Sequence, residues 1–240
     1  MITNSFDFDC AEQFWLSGTD RHAAEVMYEV ASRFLHSPRK RRLFGVASYF
    51  FAWPHPPAVC RAVVDIAERL ADGEATEVEY HSACTRASES YEPVVSEARW
   101  YPAELRLGCS TGRPYEALFV PFGQAEIPET NRVRTGDVMQ PTERVAHAVP
   151  LLDWRAVTDL FREVFGNPFR TVAFDSAWRS PLAVELASAM YELRAFGRMP
   201  ELAAALELAG CGVPEVLAHC CASGSHVRGC WVIDLVLGRE

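Results

Sequence analysis

The chain has 240 residues, 49% hydrophobic and 23% charged, and this balance excludes the class of disordered proteins that combine low hydrophobicity with high charge. A formal net charge of -9 argues against sequence-independent binding to nucleic acid or anionic membranes, because both are polyanions. No run approaches the roughly 20 apolar residues that cross a bilayer, and the acidic start lacks the basic region of a secretory signal. We therefore expect a cytoplasmic protein whose eight cysteines are free thiols.

The first hundred residues are predicted to form amphipathic helices, because apolar residues recur there at three- and four-residue spacing. Asp20 provides an N-cap for a helix that ends near His36, and Ser37-Pro38 provides a cap and a first-turn proline for the next helix. Since the connection is short, we expect these two helices to pack as a hairpin. Two further helices are predicted over residues 57–71 and 74–100, the second interrupted at Pro93.

Residues 101–150 have a different character, with six prolines and several glycines. They predict a long irregular connection that holds one or two short strands, such as 117–120, and we place a domain boundary there. The chain is thus divided into an N-terminal helical region, 1–100, this connection, and a C-terminal helical region, 151–240. The two helical regions form either one shared core or two separate ones.

Helices resume after the connection. Asp153 is expected to cap a helix over 154–165, and Ser180-Pro181 to open one that ends near Phe196. Three more helices are predicted over 199–209, 214–221 and 226–237. The predicted fold class is mostly α, a globular bundle or array of antiparallel helix pairs with an irregular middle segment.

Three C-terminal segments carry a resemblance to a known family: EVFGNPFRTVAFDSAWRS from Glu163, AMYELRAFGRMPELAAALELAGC from Ala189, and LAHCCASGSHVRGCWVIDLVLGRE from Leu217. Together with N-terminal matches such as Ser37-Pro38-Arg39-Lys40, they resemble an uncharacterised planctomycete-type family of helical proteins. That family ends in HVRGCWxxDLxLG and sometimes accompanies the so-called repeat-companion domain. The resemblance covers about two thirds of the chain. It implies helical architecture and bacterial origin, and no activity.

The most specific chemical pattern lies in the last predicted helix. His226, Cys230 and Asp234 are spaced i, i+4 and i+8, so they should form one stripe. The histidine and cysteine are then placed to bind zinc, with His219 or the adjacent Cys220-Cys221 pair as further ligands.

Two other interpretations of this pattern stay open. In one, His226 lowers the pKa of Cys230 and makes it a nucleophile that Asp234 helps to orient. In the other, which the apolar surroundings favour, Cys230 belongs to the core and Asp234 accepts hydrogen bonds from an arginine of the Arg228 type or a tryptophan elsewhere in the chain. We therefore predict no metal or other cofactor, with zinc at His219, His226 and Cys230 as the alternative.

Two polar segments allow an anion contact. Asn167 and Arg170, in the loop after the 154–165 helix, are placed to hold a carboxylate or phosphate, although a simple turn explains them better. The basic run Arg39–Arg42 suits an acidic partner or a nucleic acid backbone. It is better explained by ion pairs with Glu25, Glu29 or another acidic residue of a neighbouring helix.

These patterns favour a non-enzymatic helical scaffold or protein-interaction protein, since no convergent catalytic set is apparent. The expected partner is a protein rather than nucleic acid or a membrane. The alternative is a metal- or thiol-dependent enzyme that uses the C-terminal cluster of His219, His226, Arg228, Cys230 and Asp234.

Overall fold

The computed structural model of the chain describes residues 8–34, 37–52, 58–86 and 154–239, and most of these are helical. Within those ranges no strand occurs, so the mostly α fold class is confirmed. The predicted connection at 101–150, its short strand and the interruption at Pro93 lie outside the described residues. None of the helices described is both long and apolar enough to cross a membrane.

The helices fall into two compact units. The first unit contains Met1–Lys40 and Thr158–Glu240, and the second contains Arg41–Val157. In chain order the helices are α1 (Phe8–Ser17), α2 (Arg21–Phe34), α3 (Pro38–Ala52), α4 (Ala58–Ala71), α5 (77–86), α6 (Trp154–Phe165), α7 (Pro181–Leu193), α8 (Met199–Leu208), α9 (Pro214–Cys221) and α10 (Trp231–Leu237).

Three predicted helix starts are confirmed by their caps. The Asp20 carboxylate accepts the backbone N–H of Ala23 at 2.8 Å at the start of α2. The Ser37 hydroxyl accepts the N–H of Lys40 at 3.2 Å before α3, and Ser180 does the same for the N–H of Ala183 at 3.3 Å before α7. Backbone N–H groups in the first turn of a helix have no carbonyl partner within the helix, and each of these side chains accepts a hydrogen bond from one of them.

Two predicted helix boundaries are wrong. The α7 helix ends at Leu193 and not near Phe196, because Arg194 adopts a left-handed conformation with φ of 54°. The last helix begins at Trp231 and not at His226. Gly229 has φ of 91°, a conformation that no α-helix contains, so His226 lies in the preceding loop and the predicted stripe does not exist.

The core of the first unit is formed mainly by its last four helices. The α7 helix packs against α8 and α10, and α8 packs against α9. Apolar side chains from all four are fully buried between them, among them Met190, Leu202, Leu206, Val216 and Ile233. Removal of this apolar surface from water is the main force that holds the four helices together.

Within this unit, Trp15 joins α1 to α6 and the turn that follows α6. The side chain is 1% exposed, and its indole N–H donates to the carbonyl of Gly166 at 2.7 Å. Its ring packs edge-on against Phe161 of α6. The Arg162 side chain donates to the Trp15 carbonyl at 2.6 Å, so the contact is fixed from both sides.

Helix capping and ion pairs also occur in the second unit. Before α5, Thr76 and Glu79 form a capping box: the Glu79 carboxylate accepts the N–H of Thr76 at 2.7 Å, and the Thr76 hydroxyl accepts the N–H of Glu79 at 3.2 Å. The side chain of Arg42 on α3 forms an ion pair with Glu77 on α5 at 3.1 Å. Buried side chains of α3 and α4 include Leu43, Phe44, Val63, Val64 and Ala67.

We expect Trp15→Ala to lower the free energy of unfolding by about 3–5 kcal/mol, because it opens a cavity and leaves the Gly166 carbonyl without its donor. Urea denaturation of the variant measures this. Leu16→Ala is the matched control. That side chain is 52% exposed, so its loss should change stability by no more than about 0.5 kcal/mol. Equal effects of the two variants would contradict the assigned role of Trp15.

Candidate functional site

A buried carboxylate, Glu163, is the centre of the candidate site. It lies on α6 one turn after Leu160 and next to Val164, both of which are buried, so the helix directs it into the first unit. Only 5% of the residue is exposed. A charged carboxylate at such a position requires compensating partners, because its transfer out of water is strongly unfavourable.

Two histidines and one backbone group supply those partners. One carboxylate oxygen, Oε2, lies 3.1 Å from Nε2 of His219 on α9 and 3.0 Å from Nδ1 of His226. The other, Oε1, accepts the backbone N–H of Val227 at 3.2 Å. Burial alone would raise the pKa of Glu163, but the hydrogen bonds from the two histidines outweigh it and lower the pKa to about 2. The group is therefore a carboxylate at neutral pH.

Cys230 completes the cluster. Its Sγ lies 3.2 Å from Nε2 of His219, and the residue is fully buried at the N-cap of α10. Burial raises the pKa of the Cys230 thiol well above its usual value, and the nearby Glu163 carboxylate acts in the same direction. The arrangement opposes a free thiolate, so it does not fit the predicted nucleophile.

The hydrogen bonds also locate the imidazole protons. The Trp231 indole N–H is only a donor and lies 3.1 Å from Nδ1 of His219, so Nδ1 accepts and Nε2 carries the proton that faces Glu163. His226 likewise directs Nδ1–H at the carboxylate. Its Nε2 is buried and has no hydrogen-bond partner among the described residues. A buried imidazole nitrogen without a partner is unusual in a packed core.

The same four side chains are of the types that bind metal ions, and they lie near enough to one another to hold one. One ligand atom each from Glu163, His219, His226 and Cys230 lies within 4.8 Å of every other. In tetrahedral zinc sites, bonds of about 2.1 Å to nitrogen or oxygen and about 2.3 Å to sulfur place neighbouring ligand atoms about 3.3–3.6 Å apart. Three of the pairs here lie 3.0–3.2 Å apart and no pair is farther apart than 4.8 Å, so the side chains would have to shift to accommodate the ion.

Asp234, predicted beside His226 and Cys230, belongs to a different cluster. It is 1% exposed and receives two hydrogen bonds from Arg39, at 2.8 and 3.0 Å, and an ion pair from Lys40. Asp234 thus accepts hydrogen bonds from an arginine, as predicted, and that arginine is Arg39, not Arg228. The basic run does form ion pairs, but its first two members pair with a residue almost 200 positions away. A helical stripe between Cys230 and Asp234 does not form, because the helix starts only after Cys230.

The remaining predicted residues have structural roles. Arg228 donates to the carbonyls of Tyr191 and Glu192 at the end of α7, where a cation complements the helix dipole. Asn167 accepts the N–H of Phe169 within its own turn, and Arg170 pairs with Glu12 at 2.8 Å. Neither contact requires an external anion. Of the two adjacent cysteines, Cys220 is buried and Cys221 exposed, and neither belongs to the group of four.

Sequence reasoning missed Glu163, although the chain contains a signal for it. The residue follows Leu160 by three positions on α6, so an acidic side chain occupies the apolar face of an amphipathic helix. A charge at such a position indicates a buried partner of opposite charge or a metal.

The free energy of unfolding should fall as pH decreases from about 4.5 to about 2, because the folded state depresses the pKa of Glu163 and protonation removes its hydrogen bonds to the histidines. The contribution is complete above about pH 4.5, the ordinary pKa of the group. Urea denaturation across this range measures it. Glu163→Gln has no such titration and should show a flatter profile; parallel profiles would contradict the assignment.

Thiol alkylation of metal-free protein should divide the cysteines by burial. Cys10 and Cys221 are exposed and should react quickly, whereas Cys220 and Cys230 should react only after unfolding, since burial raises the pKa of both thiols, to about 12 for Cys220. Mass spectrometry of digested protein identifies the modified positions. Rapid modification of Cys230 in the native state would restore the nucleophile hypothesis.

Comparison of the chain with family models, with curated proteins and with solved structures finds no match.

Proposed function

We propose that this chain is a non-enzymatic helical scaffold protein whose C-terminal region binds a structural zinc ion through Glu163, His219, His226 and Cys230. The observation that supports zinc binding is the convergence of these four ligand atoms within 4.8 Å of one another, from α6, α9 and the segment that leads into α10. A site that joins separate segments contributes its binding free energy to folding.

Zinc is the metal that the donor set favours. Imidazole nitrogen and thiolate sulfur suit zinc, while calcium and magnesium prefer oxygen ligands. The charges also balance, since the Glu163 carboxylate and the Cys230 thiolate together neutralise a divalent ion. Zinc imposes no geometric preference of its own, so a four-ligand cluster in a packed core is compatible with it.

The number of ligands favours a structural role over a catalytic one. Catalytic zinc sites usually have three protein ligands and an open position for water or substrate, whereas structural sites have four. All four side chains here come from the protein and lie inside the first unit, with His226 only 6% exposed at its side chain. The high pKa of Cys230 opposes thiol catalysis in the metal-free state.

Zinc binding would rearrange protons. The Cys230 thiol must lose its proton, because thiolate is the form that binds metal. The protons on Nε2 of His219 and on Nδ1 of His226 would also have to leave those atoms. The His226 proton can move to its own Nε2, which has no partner among the described residues, whereas a move of the His219 proton to Nδ1 removes the acceptor of the Trp231 indole. Trp231 should therefore change its environment when zinc binds, which gives the proposal an optical signal.

The scaffold part of the proposal assigns a partner-binding role to exposed leucines. Leu182 and Leu193 of α7 are 51% and 75% exposed, and Leu208 of α8 is 85% exposed. The first two are eleven residues apart, which is about three helical turns, so they lie on the same side of α7. Apolar surface of this kind is available to a protein partner. Catalytic turnover that Cys230→Ala abolishes would contradict the non-enzymatic role.

We expect the untagged protein to retain about one zinc ion per chain, measured by elemental analysis together with native mass spectrometry, because a four-ligand site coordinates one ion. Cys230→Ser and His226→Ala should each lose the metal. Zinc added to metal-free wild type should change tryptophan fluorescence and raise stability, by about 2.7 kcal/mol at a free concentration of 100 times Kd. The fluorescence change should be absent in Trp231→Phe.

The matched control is Cys221→Ser. That thiol is next in sequence to Cys220 on α9 but exposed and outside the group of four, so zinc content should be unchanged. Wild-type protein without zinc affinity, or zinc retained equally by Cys230→Ser and Cys221→Ser, would refute the zinc site.

A further inference from the structure

Lys40 has an unusual position beside the proposed zinc site. It is the single lysine among 23 basic residues, and its side chain is 13% exposed. Its amino group donates to the carbonyls of Val164 at 2.9 Å and Gly229 at 2.8 Å, and it pairs with the Asp234 carboxylate. The three acceptors match the three N–H donors of an ammonium group.

Two of these acceptors are next to zinc ligands in the sequence. Val164 directly follows Glu163, and Gly229 directly precedes Cys230. One amino group therefore joins the end of α6 to the loop before α10. Because the carbonyls share the backbone of the ligand residues, the bridge fixes how far apart the carboxylate and the thiol are held.

We infer that Lys40 is a positioning residue for this site: it holds Glu163 and Cys230 at the separation that a shared zinc ion requires. The inference rests on the proposed zinc binding. Lys40 touches no ligand atom, and it acts through the backbone on either side of the ion. Groups that hydrogen-bond directly to ligand side chains typically change metal affinity by about 10–100-fold, and we take this range for Lys40 as well.

The shape of the ammonium group explains why residue 40 is a lysine and not an arginine. The neighbouring Arg39 uses its planar guanidinium for two parallel hydrogen bonds to Asp234. An ammonium instead directs three donors away from a single atom, and it can reach acceptors that do not lie in one plane. Since all other basic residues of the chain are arginine, the lysine occurs at the position where a compact donor is needed.

We expect Lys40→Met to weaken zinc binding about 10–100-fold, measured by competition with a chromogenic chelator on the full chain. Arg39→Met is the matched control, because Arg39 shares the contact with Asp234, and its effect should be several-fold smaller. Lys40→Arg keeps the charge and should recover less than half of the lost binding free energy. Thermal unfolding of the metal-free variants separates lost stability from lost affinity.

The outcomes distinguish the two proposals. Zinc affinity in wild type decides the metal site itself. If wild type binds zinc and Lys40→Met binds it as tightly, or if Arg39→Met is weakened equally, the inference about Lys40 is wrong while the zinc site stands.

A second measurement covers the case in which Lys40→Met does not fold. Lysine labelled with ¹³C at Cε gives one resonance in this chain, because there is one lysine. That resonance should shift in proportion to zinc saturation in wild type and should not shift in Cys230→Ser. A resonance that saturating zinc leaves unmoved in wild type would overturn the inference.

Discussion

The burial of a charged carboxylate at Glu163 is the constraint on which the organisation of the first unit depends. A carboxylate out of water needs donors on both oxygens, and a single helix cannot provide them to its own side chain. The donors here come from α9 and from the loop before α10. The position of the loop at 222–230, which has no regular structure of its own, is therefore set by a polar interaction as well as by apolar packing.

Asp234 is also a buried carboxylate, but its charge is compensated by different groups. It is compensated by Arg39 and Lys40, two basic side chains from the start of α3. The burial lowers the pKa of Lys40, while the Asp234 carboxylate opposes that change. The two buried carboxylates are thus connected through Lys40, which contacts the backbone beside Glu163 and the side chain of Asp234. Removal of one partner from a buried pair of this kind leaves an uncompensated charge. This is far more destabilising than the loss of an exposed ion pair.

Local patterns predicted most of the described helices, because caps and apolar periodicity act within a few residues. Asp20, Ser37 and Ser180 cap the helices that they were expected to cap. The candidate site was only half predictable. His219, His226 and Cys230 do meet, but through a loop with Gly229 in a left-handed conformation, and not along one helix. Glu163 lies 56 or more positions from its partners, and pairing over such distances depends on tertiary packing that no local pattern contains.

The tie between Trp15 and Gly166 spans 151 residues and has a consequence for synthesis on the ribosome. The first unit combines Met1–Lys40 with Thr158–Glu240, so its opening helices are made long before their partners. At about 5–20 residues per second, the interval from Lys40 to Thr158 lasts about 6–24 s. During that time α1 and α2 lack their partners from Thr158–Glu240, and Trp15 lacks Phe161 and Gly166. The nascent chain therefore presents a two-helix hairpin with an uncovered apolar face, the kind of surface that chaperones recognise.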